Sequence, residues 1–127
     1  MIPKWVGKYI GLPFEEYNCW QLMCLIYRNE FDIELPDFKG EYSNALDAKK
    51  IEAIYNRELL SRFTKIDVQK QFCFVVIRMD GQPWHCGLVI DKNIMLHTDR
   101  GIDCVHQDFN TLEWKHRVIG YYEYATK

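Results

Sequence analysis

The apolar residues of this chain change their spacing once, and that change limits the fold more than any other feature. From Asn18 onward they recur at helical intervals, with Cys19, Met23 and Ile26 on one line and Trp20, Cys24, Tyr27 and Phe31 on the next. The second half is different. Residues 72–79, 84–90, 94–98, 102–106 and 118–124 are short β-branched and aromatic runs bounded by turn residues, the pattern of strands. A helical part followed by a strand part describes an α+β chain, with an antiparallel sheet packed on a central helix near the N-terminus. Asn18 is a good N-cap for that helix, expected over residues 19–29, and apolar residues surround so much of it that it should be buried between other elements.

The segments around this frame are less regular. Pro3, Gly7, Gly11 and Pro13 break residues 1–17 into an irregular lead-in with room for one helical turn. After Pro36 and Gly40, Ser43 or Asn44 can cap a second, amphipathic helix whose apolar face is Ala48, Ile51, Tyr55 and Leu59. Asp80-Gly81 is a tight-turn dipeptide between the first two strands, and Asp91-Lys92-Asn93 connects the next two.

At 127 residues, 48% of them hydrophobic, the chain suits one domain spanning 1–127 and has no room for a second. Sixteen Lys and Arg against 18 Asp and Glu leave a net charge of -2, which argues against a nucleic-acid or membrane-surface protein working through a basic field. No apolar run approaches a bilayer span and Met1-Ile2-Pro3-Lys4 opens no signal-peptide pattern, so synthesis and folding in a cytoplasm are expected. Five cysteines, an odd number with no CxxC pair, fit reduced thiols better than disulfides and lack the ligand spacing of a zinc site.

Cys19 is the residue with the most chemical content. A thiol in the first turn of a helix feels unsatisfied backbone N–H groups and the positive end of the dipole, and both favour thiolate. The alternative is a small buried hydrophobe, and a base within reach decides between them. His85 and His97 lie on consecutive strands, so register governs whether they meet. A three-residue loop at 91–93 pairs Ile90 with Ile94, Leu88 with Leu96 and Gly87 with His97, which makes His85 and His97 diagonal neighbours on one face. A two-residue loop puts them on opposite faces. The three-residue register also sets Gly87 across from His97, leaving space for another group to approach. Nucleophile, base and orienting residue would then be Cys19, His85 and His97. The alternative for the pair is two structural histidines.

Other residues fit plainer roles. His106 and His116 are expected to be exposed, and Cys24, Cys73, Cys86 and Cys104 to be core. Glu15 with Glu16, and Asp99 with Asp103, read as solvated carboxylates, and Tyr121, Tyr122 and Tyr124 as a half-buried last strand.

The segments Tyr9-Ile10-Gly11-Leu12-Pro13-Phe14, Tyr17-Asn18-Cys19-Trp20-Gln21-Leu22, His85-Cys86-Gly87-Leu88-Val89-Ile90, Met95-Leu96-His97 and Val118-Ile119-Gly120-Tyr121-Tyr122 together resemble the NlpC-type papain-like cysteine peptidases, above all the branch found in bacteriophage tails. The similarity runs over most of the chain, least distinctly over 39–68, and the order Cys before His excludes the circularly permuted relatives. The resemblance implies a papain-like fold, with Cys19 as nucleophile, His85 as base and His97 as its orienting residue. It also implies hydrolysis of peptidoglycan stem peptides, typically at the γ-D-glutamyl to diamino-acid bond, without metal or cofactor. Other tail-tip proteins would be partners, and the virion tail the final location.

The chain departs from the family pattern in four places. Asn18 stands where Asp is usual, Gln21 where a small residue is common, Phe14 where many members carry a tyrosine hydroxyl, and Phe72-Cys73 where Gly-Asp leads the first strand. Phe14 and Gln21 leave open a different class of function, a tail-assembly or hub module that keeps the fold without turnover. A metal protein using Cys19, Cys86, His85 and His97 is a third reading.

Overall fold

The computed structural model describes residues 1–36, 53, 57, 61–79, 82–99 and 101–125. A short 3₁₀ helix, Lys4–Lys8, precedes the helix α1 (Cys19–Phe31). Six strands follow: β1 (Phe63–Ile66), β2 (Phe74–Met79), β3 (Gln82–Asp91), β4 (Ile94–Asp99), β5 (Ile102–Asp108) and β6 (Val118–Tyr124). They form one sheet in the order β1-β6-β2-β3-β4-β5, with every neighbouring pair antiparallel. The α+β arrangement expected from the change of period is the one observed.

Both ends of α1 are fixed by side-chain and backbone chemistry. The Asn18 side chain accepts the Gln21 N–H at 3.0 Å while the Gln21 side chain accepts the Asn18 N–H at 3.3 Å, a reciprocal capping box. At the other end Asp32 takes a left-handed conformation, φ 56°, and its N–H donates to the Tyr27 carbonyl.

The sheet is covered on both faces. On one, Trp20, Leu22, Met23 and Ile26 of α1 pack on Phe74, Val76, Leu88, Ile90 and Leu96. On the other, Phe109 and Trp114 from the β5–β6 connection lie over Val75, Ile77, Val89 and Met95. Burial on both faces explains why the central strands read as continuous apolar runs and not as alternating ones. Each fully buried side chain of this size contributes roughly 1.5–3 kcal/mol, so the sandwiched strands are the stable heart of the fold. The lead-in is bound to β5 by two 2.8 Å bonds, Gly11 N–H to the Cys104 carbonyl and Cys104 N–H to the Leu12 carbonyl.

The β3–β4 hairpin corrects one expectation and keeps its consequence. Two residues, Lys92 and Asn93, form the turn, and Asp91 pairs with Ile94 where Ile90 was expected to. A bulge between Val89 and Asp91 then restores Leu88 opposite Leu96 and Val89 opposite Met95. The bulge adds back the residue that the shorter turn removes, so His85 and His97 stay on one face. Asn93 supplies the left-handed turn residue, φ 62°, and is held by two 2.7 Å bonds with the Gln69 side chain.

β1 is a strand that the residue pattern did not announce. It is four residues long at the sheet edge, with only Phe63 buried, too short for alternation to register. The expected amphipathic helix after Ser43 lies outside the described residues, apart from Ala53 and Arg57, which are helical.

Candidate active site

Among the described residues, the buried polar ones are Asn18, His85, His97 and Thr98, and they gather where the N-terminus of α1 meets β3 and β4. An unpartnered polar group in a core is costly, so four together require a network. Asn18 is used in the helix cap. Thr98 donates its hydroxyl to the Tyr17 carbonyl at 2.8 Å, tying the residue before the cap to the strand that carries His97. Through this bond β4 fixes the approach of the chain to Cys19.

His85 Nε2 and His97 Nδ1 lie 2.8 Å apart, the contact that the bulged register makes possible. Burial, followed by the charge of His85, lowers the pKa of His97 to about 3, so its imidazole stays neutral. A neutral His97 can accept at Nδ1 from a protonated His85 Nε2, which leaves His85 Nδ1 as the free base. That Nδ1 is buried without a partner in hydrogen-bonding geometry. Trp114 packs edge-on to His97 with ring centroids 5.6 Å apart and closes that side of the pair.

Cys19, at the first position of α1, is 4% exposed. A side-chain hydrogen bond from Cys86 holds its thiol well below the usual range, against the opposing effect of burial, and His85 adds to the lowering through hydrogen bonding and charge. His85 Nε2 is taken by His97, so Nδ1 is the ring atom left to serve the thiol. The other displaced thiols go the opposite way: burial pushes up Cys73, Cys86 and Cys104, the last to about 12. Reduced cysteine throughout matches the expectation from the odd count.

Several expected roles change on inspection. Cys86 is buried core as anticipated, yet it belongs to the same buried cluster as Cys19 and bears on its acidity, and its place next to His85 in sequence was the available sign. Gln21 does not simply replace a small residue, because its side chain completes the cap that aims Cys19. The space expected beside Gly87 is filled: a Cβ there would meet Met95 Sδ at 2.9 Å and His97 Cβ at 3.3 Å. Cys24 is half-buried, with its thiol 3.7 Å from the Pro36 carbonyl. His106 and His116 are exposed and Tyr121, Tyr122 and Tyr124 half-buried, as expected.

A helix-start thiol beside a hydrogen-bonded histidine pair, on a helix packed against an antiparallel sheet, is a nucleophile and base arrangement. The model of the NlpC/P60 family matches residues 4–123, and the chain belongs to that family, whose members are in general cysteine peptidases of the cell wall. Among solved structures it is similar to a lipoprotein-like NLP/P60 family protein from Staphylococcus aureus subsp. aureus Mu50, at a TM-score of 0.63 and 15% identity. That likeness covers 96% of this chain and 39% of the other, so the chain spans well under half of its structural relative. No curated protein matches it significantly. No helix among the described residues is long and apolar enough to cross a membrane.

Proposed function

We propose that this chain is a cysteine peptidase that hydrolyses amide bonds in peptidoglycan stem peptides, with Cys19 as nucleophile, His85 as general base and His97 as the residue that orients it. The observation that carries the reading is the Cys19 thiol, held low beside a buried imidazole whose other nitrogen is 2.8 Å from a neutral His97. In the reaction His85 Nδ1 takes the Cys19 proton and the thiolate adds to the amide carbonyl. N–H groups at the start of α1 stabilise the oxyanion. The leaving amine then takes a proton from His85 as the tetrahedral intermediate collapses to a thioester. Water, deprotonated by the same imidazole, hydrolyses the thioester and regenerates the thiol.

The finer parts of this reading come from the motif resemblance. They are the γ-D-glutamyl to diamino-acid bond as target, a place in a phage tail tip with other tail proteins as partners, and one peptidase domain over 1–127. The test is digestion of purified peptidoglycan by wild type and Cys19→Ala, with mass spectrometry of the fragments. Cleaved stem peptides from wild type alone are expected and name the bond, whereas equal cleavage by Cys19→Ala would overturn the assignment.

A second reading has an observation in its favour. Cys19 at 4% exposure and His85 at 0% are covered, and Phe14 offers no hydroxyl. A tail-assembly module that keeps the fold without turnover would give no fragments from any wall type and a stable complex with tail proteins.

A further inference from the structure

The bond between His85 and His97 serves a base in one sense only. His97 must accept at Nδ1, so that neutral His85 carries its single proton on Nε2 and leaves Nδ1 open for the proton of Cys19. A proton on His97 Nδ1 reverses the bond. Nδ1 then donates, His85 Nε2 accepts, and the one proton of His85 moves to the Nδ1 that the thiol needs. Whatever keeps His97 unprotonated therefore keeps the base in working order. Strand pairing supplies part of the cover, with Ile77 of β2 opposite His85 and Val105 of β5 opposite His97. Trp114 supplies the rest from a distant part of the chain. Residues 111–117 of the β5–β6 connection are knotted by backbone bonds, Trp114 and Lys115 N–H to the Thr111 carbonyl at 3.2 and 2.9 Å and Arg117 N–H to the Trp114 carbonyl at 2.9 Å. The knot sets the Trp114 ring against His97, with centroids 5.6 Å apart and planes at 82°. Trp114 is 8% exposed and His97 only 1%, so little water reaches the contact.

We propose that Trp114 is a positioning residue of the site, whose indole keeps water from the His85–His97 bond and so holds His97 as the acceptor. This rests on the reading of Cys19 as nucleophile and His85 as base. Burial is the first cause that lowers His97 and the charge of His85 the second, so removing the cover should release it. The titratable groups around His97 are His85 across on β3 with Cys19 beyond it, Asp99 two residues on in β4, and exposed Asp103 two residues from Val105 on β5. Exposed Glu113, Lys115 and His116 flank Trp114. Of these, His85 acts on the charge of His97. A phenylalanine would keep an apolar ring over the imidazole, whereas an alanine would admit water.

The test follows the imidazole carbon resonances of His97 against pH in isotope-labelled protein, assigned by comparison with His97→Gln, in wild type, Trp114→Ala and Trp114→Phe. The wild-type midpoint is expected at about 3. In Trp114→Ala it should rise by about one pH unit or more toward the ordinary 6.5, because opening one wall returns part of the hydration of the charged form, and in Trp114→Phe it should return toward wild type. The acid limb of kcat/KM on wall peptides should move up with it. An unchanged midpoint in Trp114→Ala would overturn the proposal. So would a rise that Trp114→Phe shares in full, since an apolar ring would then give no protection. If Trp114→Ala does not fold, Trp114→Gln, which keeps bulk but is polar, takes its place with the same expected rise and the same overturning result. The readout does not depend on turnover. Failure to cut any wall would sink the peptidase reading while leaving a shifted midpoint intact, and an unshifted midpoint in an active enzyme would sink Trp114 alone.

Discussion

The two ends of α1 are built from opposite materials. Its N-terminal end holds Asn18, Cys19, His85, His97 and Thr98, buried and joined by directional bonds. Its C-terminal end is a raft of rings. Tyr27 meets Phe31, Phe63, Phe74 and Tyr124 at centroid separations of 5.1 to 6.2 Å, and Phe63 lies 4.6 Å from Phe74. Such contacts are worth about 0.5–1.5 kcal/mol per pair beyond their burial, and they do not depend on any protonation state. At the polar end the Cys19 thiol and the His85–His97 pair do depend on protonation. The contrast teaches that the fold is anchored at the aromatic end, and that this lets the other end keep a buried, acidified thiol and two buried imidazoles that oppose folding on their own.

If that division is right, damage to the aromatic end should cost stability and spare the site. Phe74→Ala is expected to lose about 3–5 kcal/mol in chemical denaturation while the titration midpoint of Cys19 in the folded protein stays put. A moved midpoint would mean that the ends are not independent.

Acid should attack the polar end. Unfolded His97 binds its proton near pH 6.5 and native His97 only near 3. Between those values the unfolded chain holds more protons, so stability falls as pH falls through this window. In His97→Gln that part of the acid loss, on the order of 2–4 kcal/mol, should be missing when denaturation curves are compared at successive pH values.

Smaller effects sharpen the comparison. Thr98→Val removes the hydroxyl donated to Tyr17 and should cost about 1–3 kcal/mol by thermal or chemical unfolding, with a further loss of activity because the approach to Cys19 loosens. At the aromatic end the 3.2 Å Lys70–Glu123 ion pair is exposed, and Lys70→Ala should stay within about 1 kcal/mol of wild type.

The parts legible in the sequence were those with a local cause. The cap residue Asn18 and the helical spacing after it marked α1, β-branched and aromatic runs marked five strands, and Val118–Tyr124 was read to its full extent. The histidine contact was legible because strand parity is arithmetic, although the turn that delivers it is two residues and a bulge. Non-local facts were not legible. Edge strand β1 pairs with β6 from the far end of the chain, and the sheet order depends on that pairing. Cys86 escaped for a similar reason. Strand alternation sends His85 and Cys86 to opposite faces, and nothing in the sequence shows that both bear on one thiol.

The central claim is that the polar end activates Cys19, and peptide-resolved alkylation of the folded protein with iodoacetamide near neutral pH tests it most directly. Exposure alone favours half-buried Cys24 over Cys19 and over the buried Cys73 and Cys104. The account predicts that Cys19 is modified first, and that His85→Ala removes its advantage. Cys24 reacting first, with Cys19 as inert as Cys73, would contradict it.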